Sequence, residues 1–281
     1  MRLFLRQLSG ELRKLFARKR TFIGFGAFVG FEIIVFFLLR LERVQRWIST
    51  TIERSGYDPA AYLSGLTFGL LIVVWTVFLL EGLFLALIAG DVVSKEVEDG
   101  TLRMMLCRPV SRGRILLLKI IVCCIYTFVL TAFVMVTALG VGFLNGGFGG
   151  LFVFDPVHKI FAFHDFWPAF VRYLVAIPLL SLSLCTITAL AVCLSCFNMK
   201  PAAATIITLA ILFADTILKN VPYFEGIRHW FLTAKIMAWI QIFQYRIPWE
   251  AMVEEYVWLM AINTTLLVIA WQVFARRDFK S

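Results

Sequence analysis

Long apolar runs separated by short charged segments set the pattern of this chain. A helix needs about 20 apolar residues, at a rise of about 1.5 Å each, to cross the hydrocarbon core of a bilayer. Six runs come close to that length or exceed it: residues 21–39, 63–90, 115–142, 170–196, 201–218 and 256–275. The pattern therefore predicts an all-α integral membrane protein whose residues 1–281 form one domain with six transmembrane helices.

Two of these runs are longer than a span requires. Residues 63–90 would form a helix of about 42 Å against a hydrocarbon core of about 30 Å. Pro59 limits the outer end of this helix, so we place the surplus on the inner side. The run from residue 115 is expected to begin outside the bilayer too, so that both helices form a stalk carrying residues 91–114 away from the membrane. Helix tilt is the alternative, because it absorbs part of the excess length.

The Lys and Arg residues set the orientation. With a cytoplasmic N-terminus, 17 of the 27 basic residues fall in inner segments, and the densest clusters are residues 1–20 and 91–119. Positively charged loops stay on the cytoplasmic side, so both termini are expected there, in a cell inner (cytoplasmic) membrane. Residues 1–20 also place Leu5, Leu8 and Leu12 at helical spacing among basic residues, which predicts an amphipathic interfacial helix. A basic retention signal is the alternative.

The two longest outer connections differ in character. Residues 143–169 are rich in glycine and then in aromatic residues, and we expect a flexible loop there. Residues 219–255 contain Trp230, Trp239 and Trp249 but no apolar run long enough to span. They are expected to form short re-entrant or interfacial helices, with the tryptophans at the level of the lipid headgroups.

The composition supports a lipid environment and restricts the kinds of molecule that the chain is expected to bind. The chain is 61% hydrophobic with a mean hydropathy of +0.87, and its 16% of charged residues compares with about 25% in soluble domains. The net charge of +9 is spread between the apolar runs, which indicates contact with anionic lipid and no nucleic acid. Cys193 and Cys196 have CxxC spacing without further ligands, so we interpret them as packing residues.

The most charged segment lies between the second and third apolar runs. Lys95 and Asp99 have the spacing of an ion pair on a helix, and Gly100 permits a sharp turn. Thr101 is then the predicted N-cap of a short helix. Leu102, Met105 and Leu106 recur on one face of that helix, and Pro109 ends it. The segment is predicted to be a bent helix pair with an apolar knob, and a solvated turn resting on lipid is the alternative.

The stretch KEVEDGTLRMMLCRPVSRGRILLLKI resembles the signature of ABC-2 type permeases, the transmembrane subunits of ABC transporters. The family pattern is Glu-x-Glu-x-Gly-Thr, an apolar knob, Pro-Val-x-Arg and a Lys entering the next span. The matching positions are Glu96, Glu98, Gly100, Thr101, Leu106, Pro109, Arg112 and Lys119. The six spans, the basic N-terminus and the outer re-entrant segment are also similar, so the resemblance extends over essentially the whole chain.

The resemblance implies an ATP-driven permease. It assigns an ATPase-coupling role to the segment that holds Glu96, Glu98, Gly100, Thr101, Leu102, Met105, Leu106, Pro109 and Arg112. The chain has no GxxxxGK[ST] phosphate loop, so ATP and Mg are expected on two copies of a separate ATP-binding subunit, and no cofactor on this chain. A second permease copy would complete the substrate path, most simply for export. The alternative within this family is an anchor that transmits ATPase motion to an outer partner, as in permeases of metalloenzyme maturation.

Carboxylates inside the apolar runs are the other candidate functional residues. Glu32 and Glu81 each need a partner, water or protonation, because a charge at the bilayer centre costs about 2.5–3.5 kcal/mol on insertion scales. They line the substrate path or form interhelical hydrogen bonds. Asp215 is expected to pair with Lys219 one helical turn away. The outer histidines His158 and His164 give only weak metal spacing, and the chain carries no HExxH or GxSxG motif, so an enzyme is not expected.

Overall fold

The computed structural model describes residues 2–106, 111–155 and 160–277. Helices make up most of this part of the chain. In order, the elements are α1 (Arg2–Phe16), α2 (Lys19–Leu39), α3 (Glu42–Arg54), α4 (Pro59–Tyr62), α5 (Gly65–Thr76), a π-helical segment (Val77–Glu81), α6 (Gly82–Glu98), α7 (Thr101–Leu106), α8 (Arg112–Gly146), β1 (Leu151–Asp155), β2 (Ile160–His164), α9 (Phe166–Cys196), α10 (Pro201–Asn220), a 3₁₀ segment (Pro222–Trp230), α11 (Leu232–Ile236), a second 3₁₀ segment (Met237–Phe243) and α12 (Trp249–Arg276).

Five single helices of the described part are long and apolar enough to cross a membrane, namely Lys19–Leu39, Arg112–Leu144, Phe166–Cys196, Pro201–Asn220 and Trp249–Arg276. The apolar run at 63–90 is divided instead. It forms α5, the π-helical segment and the first half of α6, which follow one another without a break. A π-helical turn carries one residue more per hydrogen-bonded ring than an α-helix, and such turns recur at functional sites. Glu81 ends this segment.

Helices α5 and α8 pack with their backbones in close contact, through glycines on both. A Cβ atom added at Gly142 would overlap the carbonyl oxygen of Gly65, and one at Gly146 would overlap the backbone of Ser64. Small residues four apart let two membrane helices approach closely, which increases their van der Waals contact. This contact holds the first part of the divided second run, α5, against the third run, α8.

Residues Arg2–Phe16 form a helix, as their pattern predicts, and its apolar face packs on the helix bundle. Leu15 is buried, and Leu8, Leu12 and Phe16 pack against the main hydrophobic core, while Leu5 stays exposed. The hydroxyl of Thr21 at the start of α2 donates to the carbonyl of Leu15 at 2.7 Å, which fixes the turn between the two helices.

Residues 143–169 are not the flexible loop that their glycines suggest. Helix α8 continues to Gly146, and β1 and β2 then pair as an antiparallel hairpin with Phe152 opposite Phe163. These two rings, with Ile48 and Ile52 of α3, form a small second hydrophobic core. The alternating aromatic residues therefore bury one face of a hairpin against α3, which outweighs the flexibility of the glycines before it.

The segment 219–255 forms short helices, as predicted, up to the start of α12 at Trp249. Trp230 and Trp249 are exposed, but the prediction of a headgroup position is wrong for Trp239, which is fully buried. Arg172 of α9 fastens this segment by donating to the carbonyl oxygens of Ile242 at 3.3 Å and Tyr245 at 3.3 Å, and also to that of Gln244. Trp239 is buried because its helix packs on α9 instead of lying free.

Candidate functional site

The end of α6, the turn at Gly100 and the short helix α7 form the candidate site. Gly100 has a φ of +70°, the left-handed conformation that glycine adopts without strain, and its N–H donates to the carbonyl of Val97 at 3.1 Å. The sharp turn predicted at this glycine is therefore present. The hydroxyl of Thr101 donates back to the carbonyl of Glu96 at 3.3 Å, which closes the end of α6, a contact different from the N-cap bond predicted for it.

The exposed side of α6 carries a small ion-pair group. Lys95 Nζ lies 2.9 Å from a carboxylate oxygen of Glu98 and 3.3 Å from one of Asp99. The hydrogen bonds that Lys95 donates to Glu98 and Asp99 raise the pKa of Lys95. The predicted pair between Lys95 and Asp99 is present, and both carboxylates remain half-exposed at the tip of the helix.

Glu96 lies on the opposite, buried side of α6. Its Oε2 is 2.6 Å from Nζ of Lys119 on α8, and the two side chains are 7% and 2% exposed. Lys119 also donates to the carbonyl of Val92 at 3.1 Å and lies 3.6 Å from Glu11 of α1. One buried ammonium group thus connects α1, α6 and α8.

Glu11 keeps its negative charge in this cluster. Burial of the carboxyl opposes ionisation, but Lys119 and Lys14 outweigh that effect, and the pKa of Glu11 is lowered. Lys14 Nζ lies 2.7 Å from the other carboxylate oxygen of Glu11. Helix α1 is therefore held by an electrostatic contact with Lys119, the same residue that pairs with Glu96.

Residues 91–96 pack within the helix bundle and are not carried away from it on a stalk. The N–H groups of Val93 and Ser94 both donate to the hydroxyl of Ser195 on α9 at 3.0 Å. Asp91 is buried and forms an ion pair of 2.9 Å with Arg20. Helix α6 does extend past the apolar run to Glu98, as its length predicts, but its neighbours enclose it almost to the tip.

The apolar residues of α7 have different surroundings. Leu102 is fully buried in the main core, whereas Met104, which the helical pattern did not select, is 67% exposed. The backbone of Met105 and Leu106 belongs to α7. The side chains of these two residues, together with Pro109 and Cys107, lie outside the described residues. Leu102 thus anchors α7 to the bundle, and Met104 is exposed among the side chains of α7 that the structure describes.

Arg112 lies at the start of α8, after the candidate site, and holds that end of the helix in place. Its Nη1 donates to the carbonyl oxygens of Ala275 at 3.0 Å and Arg277 at 2.9 Å, which ties the start of α8 to the end of α12. The structure brings Glu96, Thr101, Leu102 and Arg112 into contacts within the chain. It leaves the carboxylate of Glu98 at the surface.

Both intramembrane glutamates bind threonines of α8. Thr131 donates to Glu81 Oε1 at 2.7 Å, and Thr137 donates to Glu32 Oε1 at 2.9 Å. Both carboxyl groups are fully buried, and the second oxygen of each has no hydrogen-bond partner in the described part of the chain. The threonines, six residues apart on α8, are partners that the sequence pattern did not indicate. Of the two roles considered for these glutamates, the geometry matches interhelical hydrogen bonding.

The remaining polar candidates lie towards the other end of the bundle. Asp215 accepts hydrogen bonds from the N–H groups of Leu232 at 3.1 Å and Thr233 at 2.7 Å, so it caps α11. Among the residues that the structure describes, Asp215 forms no ion pair with Lys219. The predicted pairing of these two residues is therefore wrong. His164 Nε2 lies 2.7 Å from the carbonyl oxygen of Phe243. His158 lies outside the described residues.

The fold is that of a multi-pass membrane protein with a bent, partly exposed helix pair between α6 and α8. The family model described as ABC-2 family transporter protein matches residues 7–215, about three quarters of the chain. The chain therefore belongs to the ABC-2 family of transporter proteins. A search of the curated proteins found no match. Permeases of this family are transmembrane transport components without an ATPase motif of their own, and they work with an ABC ATP-binding partner.

Proposed function

We propose that this chain is the transmembrane subunit of an ABC exporter. Two copies form the substrate path, and two copies of a separate ATP-binding subunit, which hold ATP and Mg, drive it from the cytoplasmic side. In this proposal the divided helix Gly65–Glu98 supplies the second of six spans, both termini are cytoplasmic, and the membrane is the cell inner membrane. The chain itself binds no cofactor and catalyses no reaction.

The observation that carries the proposal is the combination of an exposed tip with a buried anchor. Glu98 and Asp99 are half-exposed, and Met104 is exposed beside them, so this tip offers charge and an apolar contact to a partner. Directly beneath it, Leu102 is buried and Glu96 is held by Lys119. Movement of the tip therefore moves α6, α8 and α1 together, because packed interiors transmit displacement with little compression.

The test uses the full-length permease co-expressed with its ABC ATP-binding subunit. Met104→Asp and Glu98→Lys should each reduce co-purification of that subunit and the stimulation of its ATP hydrolysis, while the variants fold normally. Glu53→Lys is the matched control, because Glu53 is an exposed carboxylate on α3, away from this tip. If all three variants bind and stimulate the ATPase like the unaltered protein, the docking assignment is wrong.

The orientation is tested separately. In a variant that retains Cys107 alone among the six cysteines, a membrane-impermeant maleimide should label the protein in inverted vesicles and not in intact cells. Labelling in intact cells would overturn the proposed topology and would leave the helix packing unaffected.

A specific feature favours the alternative function of force transmission to an outer partner. Helix α3 and the hairpin form a folded unit in which Trp47, Phe154 and Phe161 are all at least 41% exposed. The ring of Phe154 contacts those of both Trp47 and Phe161. A transporter and an anchor differ in their response to substrate. Compounds that stimulate ATP hydrolysis in the assembled complex would support transport, whereas loss of outer-partner binding in Trp47→Ala with normal ATPase activity would support the anchor.

A further inference from the structure

A cavity opens between the divided second run and the helices packed beside it. Its volume is about 150 Å³. The π-helical segment and the start of α6 form one wall, α9 and α10 form two more, and α11 with the following residue Met237 closes the end. The lining side chains are mostly apolar, and they include Leu83, Leu212, Phe213, Thr216, Lys219 and Thr233.

Polar groups gather at one end of this cavity. Lys219, Thr216 and Thr233 line that end, while the lining residues of α10 nearer its start, from Leu209, are apolar. Leu209 and Lys219 are ten positions apart, which corresponds to about 15 Å along the helix. The cavity is therefore apolar along most of its length and carries a cationic group at one end. These are the two features that a binding site for an amphiphile needs.

The ammonium group of Lys219 has no hydrogen-bond or ion-pair partner among the residues that the structure describes. Asp215, one turn earlier, directs both carboxylate oxygens to the start of α11, through Leu232 and Thr233. Arg228 adds a second positive charge nearby, because its Nη2 donates to Asn220 at 2.9 Å, and its buried Nε has no hydrogen-bond partner in the described part of the chain. The carboxylates of Asp215 and Asp155 lie near enough to favour the charged form of Lys219, but neither forms a hydrogen bond or an ion pair with its ammonium group. This group can therefore donate to an anion that enters the cavity.

The cavity is reached from the side of the bundle. Leu83 and Phe213, both lining residues, are 40% and 65% exposed. They lie on helices whose outer faces are apolar, so this entrance opens towards hydrocarbon. A molecule with an apolar chain can therefore enter without crossing a polar surface.

We infer that this cavity binds an amphiphile with one apolar chain inserted along α10 and an anionic phosphate or carboxylate headgroup at Lys219. Burial of the apolar chain in the cavity favours binding, because apolar surface is removed from water. The headgroup forms a charge-assisted hydrogen bond with Lys219 where water is scarce. The bilayer supplies such a group as one chain of an anionic phospholipid, and free single-chain amphiphiles supply the same chemistry. This inference does not depend on ATP-driven transport, since it concerns binding to the permease alone.

The test measures binding to the full-length purified permease by native mass spectrometry in detergent. The probes are phosphatidylglycerol, phosphatidylcholine with the same chains, and dodecyl phosphate. We expect phosphatidylglycerol or dodecyl phosphate to bind about tenfold more tightly than phosphatidylcholine, because only these two carry a net negative charge for Lys219. Preference for phosphatidylglycerol identifies a bilayer lipid, and preference for dodecyl phosphate identifies a free amphiphile. Equal binding of all three probes overturns the inference.

Two pairs of variants locate the site. Lys219→Gln should remove the preference for anionic probes, while Lys200→Gln, at the other end of the same helix, should keep it. Leu212→Trp should fill the cavity and reduce binding of every probe, while Ile217→Trp, on an exposed position of α10, should not. If Leu212→Trp does not fold, the comparison of Lys219→Gln with Lys200→Gln still tests the site. Equal anion preference in both lysine variants would refute the site.

Discussion

Lys119 of α8 and Glu96 of α6 form an ion pair of 2.6 Å in which both side chains are almost completely buried. Glu98, only two residues further along α6, has its carboxylate half-exposed and pairs with Lys95 at the surface. The two glutamates of the family signature therefore have different roles in this chain. Glu96 holds the helices together, and Glu98 is available to a partner.

This difference predicts unequal effects of the same substitution. Glu96→Gln should lower the free energy of unfolding by about 3–5 kcal/mol, because it leaves Lys119 buried without its closest counter-charge. Glu98→Gln should change it by less than about 1 kcal/mol, since the pair it removes is exposed. Thermal unfolding of the two purified variants in the same detergent gives the comparison. Equal midpoints would mean that the buried pair contributes no more than the exposed one.

Gly100 and Gly56 offer a matched test of the turn. Both have positive φ, +70° and +81°, and both donate their N–H to the carbonyl three residues earlier. Proline fits neither geometry, so Gly100→Pro and Gly56→Pro should each destabilise the protein by more than about 1 kcal/mol. Only Gly100→Pro should also reduce stimulation of the ATP-binding subunit. An equal loss of stimulation in both variants would assign the effect to general instability.

The contact between α5 and α8 predicts a position-specific effect of adding one methyl group. Gly142→Ala should lower the free energy of unfolding by about 1–3 kcal/mol, because the new Cβ meets the backbone of α5 at Gly65 and Gly69. Gly140→Ala, two residues earlier on the same helix, meets no atom within 4 Å and should be neutral or slightly stabilising. Thermal unfolding of both variants checks this, and a neutral Gly142→Ala would contradict the close packing.

The hydrogen bond from Thr131 to Glu81 predicts the cost of losing an intramembrane donor. Thr131→Val keeps the side-chain shape but leaves Glu81 Oε1 without its partner, and should cost about 1–3 kcal/mol of unfolding free energy. Thr265→Val is the control, because Thr265 is exposed and bonds only to its own helix at Ala261. Similar thermal midpoints for the two variants would show that Glu81 finds another donor.

His164 makes the part of the fold around the β1–β2 hairpin sensitive to acid. Burial lowers its pKa below the ordinary 6.5, the hydrogen bond to Phe243 opposes this, and the nearby Arg172 adds to the lowering. The unfolded chain therefore binds a proton more readily, so the stability present above pH 6.5 is lost as the pH falls below that value. His164→Gln should unfold at a midpoint that falls less between pH 7 and pH 5. An unchanged pH slope in this variant would assign the acid sensitivity to other groups.

Much of the candidate site followed from local chemistry. Gly100 takes a positive φ because few other residues do so without strain, and Lys95 reaches Asp99 because side chains four apart share a helix face. The pattern did not distinguish Glu96 from Glu98. That distinction depends on which side of α6 faces Lys119, and Lys119 lies 23 positions further along the chain.

The sequence by itself determined the helical membrane class, the position of most apolar helices and the bend at Gly100. Hydrophobic length, charge and glycine geometry are local properties, so they can be read along the chain. Only the tertiary structure decided that Phe152 and Phe163 pair in a hairpin, that Trp239 is buried, that Asp215 caps α11 instead of pairing with Lys219, and that α8 supplies hydrogen bonds to Glu32 and Glu81. Each of these depends on contacts between distant segments, and a buried polar group takes whichever donor or acceptor the packing brings within reach.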